Sequence, residues 1–284
     1  MILGVDAARQ SRPIIRGAPL ALLLAASVAL PLWSQAPTIR LDHVVVVVRD
    51  LSLAATTYRG LGFRIKPGRL HPDSLLNCHI KLRDGGDIEL MTLAGSPLDA
   101  DAADYARLLA QEEGGAYVAL KVTDLAPVAT AAARVGLETR ISASGGWRFL
   151  SFPGNSDASG VFFGSGWTNP ADPDSVLSHP NGAVALTGAW VRGGPRLEAL
   201  LRSLGTIDNE ESTLPDGSRG RRWRLGKGSL VVLPRGDSTN VPRPIAIELG
   251  RRADHEAAPV NPVRTHDGLW LMFTPDSTAS PEGR

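Results

Sequence analysis

The sequence predicts an α+β fold built from repeated strand–helix–strand–strand–strand (βαβββ) modules, and three observations carry that prediction. The first is Leu41-Asp42-His43 running into five valines, Val44 to Val48. Five consecutive β-branched residues favour a strand covered on both faces. The second is the order that follows, a helix-forming stretch and then three strand-like runs. The third is recurrence. Segments 53–62 (LAATTYRGLG), 126–136 (APVATAAARVG) and 197–205 (LEALLRSLG) each end a helical stretch on glycine. They lie about seventy residues apart, too far for a solenoid and right for duplicated small modules.

In the first module, Asp50 reads as the N-cap of a helix over 51–61, and Gly62 stops it. Strands are expected over 63–67, 77–82 and 87–93. A helical insertion over 101–112 carries apolar positions at Tyr105, Leu108 and Leu109. The second module opens with a strand at 117–122, and its Val122-Thr123-Asp124-Leu125 repeats Val48-Arg49-Asp50-Leu51. Strands at 147–152 and 160–164 complete it. Residues 169–174 form a turn-rich linker that leads into His179-Pro180-Asn181-Gly182. The third module takes strands at 183–191, 221–225 and 229–233. Residues 245–249 and 269–274 add two strands without a convincing helix, as a degenerate fourth module or a strand extension. The expected boundaries are therefore 38–93, 94–114 (insertion), 115–167, 168–182 (linker), 183–235 and 243–275, with a disordered tail at 276–284.

The formal net charge is +1, so there is no basic excess to suggest nucleic acid or an anionic membrane surface. The single cysteine, Cys78, excludes an intrachain disulfide framework and lies in an apolar strand, as an inert buried thiol would. At the N-terminus, Arg9, Arg12 and Arg16 precede an apolar stretch from Ala18 to Trp33, and Ser34-Gln35-Ala36 offers small residues for cleavage. That is the layout of a signal peptide over 1–36, which predicts a periplasmic or secreted protein with no membrane attachment after cleavage. A retained anchor is the competing reading, but Pro19 and Pro31 cut the apolar run short of a comfortable span.

Three motifs resemble the glyoxalase, or vicinal oxygen chelate, superfamily, and most closely its glyoxalase-like branch. They are Leu41-Asp42-His43, Arg69-Leu70-His71-Pro72 with Asn77, and Glu89-Leu90. His179-Pro180-Asn181-Gly182 resembles the same branch at its junction between modules. The resemblance implies that the βαβββ modules pair into curved, half-open barrels enclosing a small-molecule pocket. It also implies that His43 and Glu89 face the inside, where such residues can hold a divalent metal (iron, manganese, nickel or zinc).

A catalytic metal needs three or four converging ligands with an open position for substrate. Counting from the matched aspartates places Tyr117 where the first module has His43. The counterpart of Glu89 falls within Val161-Phe162-Phe163, with no carboxylate. Only the first module keeps both ligands. His79, sharing a strand face with Asn77 and Lys81, is the candidate third metal ligand, with His179 as an alternative; Glu248, His255 and His266 are more remote candidates. His71 and Asn77 bracket a loop that reads either as substrate-binding or as a plain turn. Trp147 reads either as an aromatic wall for substrate or as core.

Two functions follow from the resemblance. One is a metal-assisted lyase, isomerase or dioxygenase acting on a small oxygen-bearing molecule. The other is a metal-free protein that sequesters a small ligand. A purely structural role has no specific support. The partner in either case is a small molecule, and a homodimer is compatible with the sequence. Three ligands meeting near His43 would favour the enzyme; an apolar wall of Phe162, Phe163 and Trp147 would favour binding.

Overall fold

The computed structural model describes residues 37–144, 146–168, 171–235, 243–252 and 262–275. The expected signal peptide, the tail, Gly145, Asn169-Pro170 and His255 lie outside the described residues. The chain begins with β1 (Arg40–Val47), α1 (Leu51–Gly60), β2 (Lys66–Leu70), β3 (Leu75–Lys81) and β4 (Asp87–Leu93). The inserted α2 (Ala100–Gln111) precedes β5 (Gly114–Lys121), α3 (Ala126–Arg134), β6 (Arg140–Ser144), β7 (Trp147–Ser151) and β8 (Val161–Ser165). A short α4 (Asp174–Leu177) leads to β9 (Ala183–Gly193), α5 (Pro195–Ser203), β10 (Ile207–Thr213), β11 (Arg219–Arg224) and β12 (Ser229–Pro234). The last strands are β13 (Pro244–Arg251), β14 (Val263–Arg264) and β15 (Trp270–Pro275).

These strands form two mixed sheets, ordered β2-β3-β4-β1-β5-β8-β7-β6 and β10-β11-β12-β9-β13-β15-β14. Each sheet is two modules joined along one antiparallel seam, β1 against β5 and β9 against β13. Within each module the last strand returns parallel to the first, β4 beside β1 and β12 beside β9. Thus β13 occupies the centre of the second sheet, where β5 stands in the first.

The valine run is buried on both faces for two different reasons. Val44, Val46 and Val48 enter the common core, which also takes residues from the second sheet and from α1, α3 and α5. Val45 and Val47 face the other way and are covered by Ala102 and Leu108 of α2, with Tyr105 and Leu109 packed beside them. The insertion therefore covers one part of the first sheet's outer face. Asp50 caps α1 by accepting from the Leu53 N–H at 2.9 Å, and Gly62 (φ +84°) ends that helix. Asp124 stands one residue further out. It accepts from the Ala126 N–H, while Leu125 holds the cap position and Pro127 enters the first turn.

Four strands differ from the expectation, among them the two-residue β14 at one edge of the second sheet, which was not foreseen. β2 begins at Lys66 because Phe63 turns into the core. β6 and β10 are edge strands that were not foreseen. The sequence of β6, RISAS, is mostly exposed, and β10 reads IDNEEST. A mostly exposed edge such as β6, or one with the polar sequence of β10, carries no apolar alternation to betray it.

Candidate functional site

Alternation along β1, β3 and β4 places their polar residues on the open face while Val44, Ile80, Ile88 and Leu90 fill the core behind them. On β1, a register shift between Leu41 and His43 lets two adjacent side chains meet, and His43 Nδ1 lies 2.8 Å from Asp42 Oδ2. The carboxylate can only accept, so Nδ1 carries the proton and Nε2 is left to face Glu89 Oε2 at 3.7 Å. The other oxygen of Glu89 accepts from Asn77 Nδ2 at 2.6 Å. Asn77 in turn accepts from the Arg69 N–H, a close approach that needs Gly68, where a Cβ would overlap the Asn77 amide.

A second group lies beside the first. His79 Nδ1 contacts Asp87 Oδ2 at 2.8 Å and Lys81 Nζ donates to the same oxygen at 2.7 Å, while Asp87 Oδ1 is buried without a hydrogen-bond partner. Register joins the two groups, since His43 pairs with Asp87, and His79 with Glu89.

The charges support one another. Burial opposes the imidazolium of His43, but the hydrogen bond and charge of Asp42, with Glu89 and Asp87, outweigh it and raise the His43 pKa. Burial likewise disfavours the Asp42 and Asp87 carboxylates, yet their histidine and lysine neighbours hold both below the ordinary value. Cys78 faces the core, and burial pushes its thiol pKa up to about 11, which suits an inert thiol and not a nucleophile.

The second module presents something different. Glu89 lies opposite Val45, two residues past His43, and Phe162 lies opposite Ala119, two residues past Tyr117. Tyr117 and Phe162 are therefore the structural counterparts of His43 and Glu89. The Phe162 ring is 5.7 Å from that of His43, 6.1 Å from that of Tyr117 and 5.9 Å from that of Phe149. Phe149 and Trp147 contact Trp167, and Lys121 Nζ sits 5.2 Å over the Trp167 ring. An aromatic wall stands where a second ligand pair would be.

The structure thus brings His43, Glu89, Asn77 and His79 together and puts Trp147, 39 % exposed, at the rim of the wall. Phe163 is not part of that wall. Alternation turns it into the common core, and Phe149 and Trp167 extend the wall instead. His71 sits in the 71–75 turn, its Nε2 buried without a partner and not hydrogen-bonded to the His43–Glu89 group.

His179 is not a third ligand. Its Nδ1 accepts from the Arg64 N–H and its Nε2–H donates to the Lys81 carbonyl, both at 2.9 Å. Both ring nitrogens are spent holding the inter-module junction, and burial keeps the ring neutral by lowering its pKa. Glu248 lies in the second sheet, paired with Arg222, and His266 is exposed in the β14–β15 turn. Asp42, Asp87, Lys81, Phe149 and Trp167 went unpredicted as site residues. A period-two run of polar residues on otherwise buried strands, Asn77-x-His79-x-Lys81 and Asp87-x-Glu89, is the signal that marks most of the polar half.

A divalent metal does not fit this donor set. Only His43 Nε2 and Glu89 Oε2 are seen to converge, two donors where a catalytic metal needs three or four. Among the described residues no group of three or more histidine, cysteine or carboxylate side chains is arranged to hold an ion.

A family model described as a glyoxalase-like domain matches residues 41–205. The chain belongs to the glyoxalase-like domain family. Solved structures share the fold of this glyoxalase-like protein. A hypothetical protein from Staphylococcus aureus matches with a TM-score of 0.57 at 12% identity, covering 84% of this chain and 99% of its own. Homoprotocatechuate 2,3-dioxygenase from Arthrobacter globiformis matches at 0.53 and 14% identity, covering 88% and 84%. The Brevibacterium fuscum homoprotocatechuate 2,3-dioxygenase, solved in complex with 3,4-dihydroxyphenylacetate, matches at 0.54 and 14%, covering 88% and 85%. A search of curated proteins returns no match.

Proposed function

We propose that this glyoxalase-like protein is an exported small-molecule binder whose ligand lies on the open face of the first sheet, without a metal. The observation that carries the reading is the substitution of an aromatic pair, Tyr117 and Phe162, at the positions matching His43 and Glu89. Such a face suits a flat molecule with an oxygen-bearing head. The head meets His43 Nε2 and the free side of Glu89. The body lies against Phe162, Phe149 and Trp147, since a few convergent polar groups on an apolar wall orient and retain a ligand. The N-terminal layout supports export, and sequencing the exported form should find its first residue near Pro37.

3,4-Dihydroxyphenylacetate, the compound bound in the Brevibacterium fuscum complex, is a reasonable first probe. Binding should quench the fluorescence of Trp147 and Trp167 and weaken in both Phe162→Ala and Glu89→Gln. Elemental analysis of protein purified without chelator should find no stoichiometric metal. Stoichiometric iron, manganese, nickel or zinc that disappears in His43→Ala would overturn the reading in favour of a metalloenzyme.

A further inference from the structure

The aromatic wall of the first sheet ends on a lysine without a counter-ion. Val118 and Leu120 of β5 enter the common core, so alternation turns Tyr117, Ala119 and Lys121 onto the open face. Lys121 lies opposite Gly164 of β8, and Phe149 of β7 flanks Gly164 from the other side. Glycine is needed there, because a Cβ at Gly164 would overlap the Trp167 ring. That ring fills the gap, 6.0 Å from the Phe149 ring and 5.5 Å from that of Trp147, and it carries Lys121 Nζ at 5.2 Å. Trp167 is thereby buried and Lys121 half-buried.

The neighbouring cations of this face already have carboxylate partners. Lys81 and His79 share Asp87, and His43 has Asp42, each within 2.8 Å. Lys121 Nζ makes no hydrogen bond and no ion pair among the described residues, and it is not sealed in the interior. Its charge reaches Asp42, whose hydrogen bond nonetheless goes to His43. An ammonium held against a ring in this way gains from an anion that arrives on a ligand, since a hydrogen bond between charged groups is about twice as strong as a neutral one.

We propose that Lys121 sets the specificity of the open face, selecting a flat ring that carries a carboxylate at the end away from its oxygen-bearing head. This rests on the reading of that face as the ligand site. The spacing suits a one-ring acid. Ala119 lies opposite His43, and Lys121 is two residues further along β5, a rise of roughly 6.5–7 Å. A ring resting on Phe162 and Phe149 then has His43 near one end and Lys121 near the other.

The test is calorimetric titration of the full chain with 3,4-dihydroxyphenylacetate and with 4-methylcatechol, which has the same ring and hydroxyls but no carboxylate. Wild type should bind the acid about tenfold tighter or more. Lys121→Met keeps a stem over Trp167 without the charge. It should bring the acid down to the affinity of 4-methylcatechol and leave 4-methylcatechol unchanged, while Lys121→Arg should retain most of the preference. Equal affinities in wild type would overturn the role of Lys121 and leave the open face as the ligand site. So would a Lys121→Met variant that keeps the preference, or one that weakens both compounds alike, because the lysine would then only support the wall. Wild type that binds neither compound would overturn the open-face reading itself, and this inference with it.

Discussion

The two sheets treat a buried glutamate at their centres in opposite ways. In the first, Glu89 holds one full hydrogen bond, from Asn77, and its other oxygen has only His43 Nε2 at 3.7 Å. In the second, both oxygens of Glu248 are hydrogen-bonded. Arg222 donates to both oxygens, at 2.6 and 2.8 Å, and Trp190 Nε1 donates at 2.6 Å. Space for this comes from Gly188, opposite Glu248, where a Cβ would overlap the carboxylate. The matching pair on the first seam is His43 opposite Ala119. The same fold has thus made one saturated, self-contained ion pair and one polar group with bonding capacity to spare. Of these two carboxylates, Glu89 is the one with bonding capacity left for a ligand.

The largest effect should come from breaking the saturated pair. Arg222→Ala strands Glu248 in a largely buried position, and removing one partner of such a pair costs about 3–5 kcal/mol. Urea denaturation should show that loss with no change in ligand binding at the first sheet. Combining Arg222→Met with Glu248→Leu should recover most of the stability, leaving chiefly the cost of the Trp190 N–H without an acceptor. If the double variant is no more stable than Arg222→Ala, the second sheet is not held by this pair in the way described.

Sequence reading reached the two sheets unequally. The valine run, the Asp50 cap, β4 and the Gly62 stop were legible because burial on two faces and helix capping leave local signatures. His43, Glu89, Asn77 and His79 were legible as polar residues in apolar strands. The Arg222–Glu248 pair was not, since it joins β11 to β13 across two intervening strands of the sheet order. No short window contains both residues. The aromatic wall was half legible: counting from matched aspartates found Tyr117, but only sheet register separates Phe162, which faces the site, from Phe163, which does not.

The unsaturated pair should respond more weakly in stability and more strongly in binding. Glu89→Ala leaves the Asn77 amide short of an acceptor, a loss of about 1–3 kcal/mol, and should abolish ligand binding. Glu89→Gln can still accept from Asn77, so its stability should stay near wild type while binding falls. A Glu89→Ala variant as destabilised as Arg222→Ala would mean that the first carboxylate is as structural as the second.

The smallest effect is a pH dependence that separates a coupled histidine from a permanently charged arginine. The folded pKa of His43 is raised, so its contribution is fully present below the unfolded value of about 6.5 and is lost as pH rises through the folded pKa. The stability gap between wild type and His43→Gln should therefore be wider at pH 5.5 than at about pH 9. His179 runs the other way. Its folded pKa is lowered, so its contribution is complete above about 6.5 and is lost as pH falls through the folded value, and His179→Gln should narrow its gap to wild type on acidification. Arg222 keeps its charge across this range because Glu248, its strongest partner, raises its pKa further. A His43→Gln gap that stays flat with pH would show that the imidazole is not coupled to Asp42 and Glu89, and His43 would no longer count as a charged member of the proposed binding face.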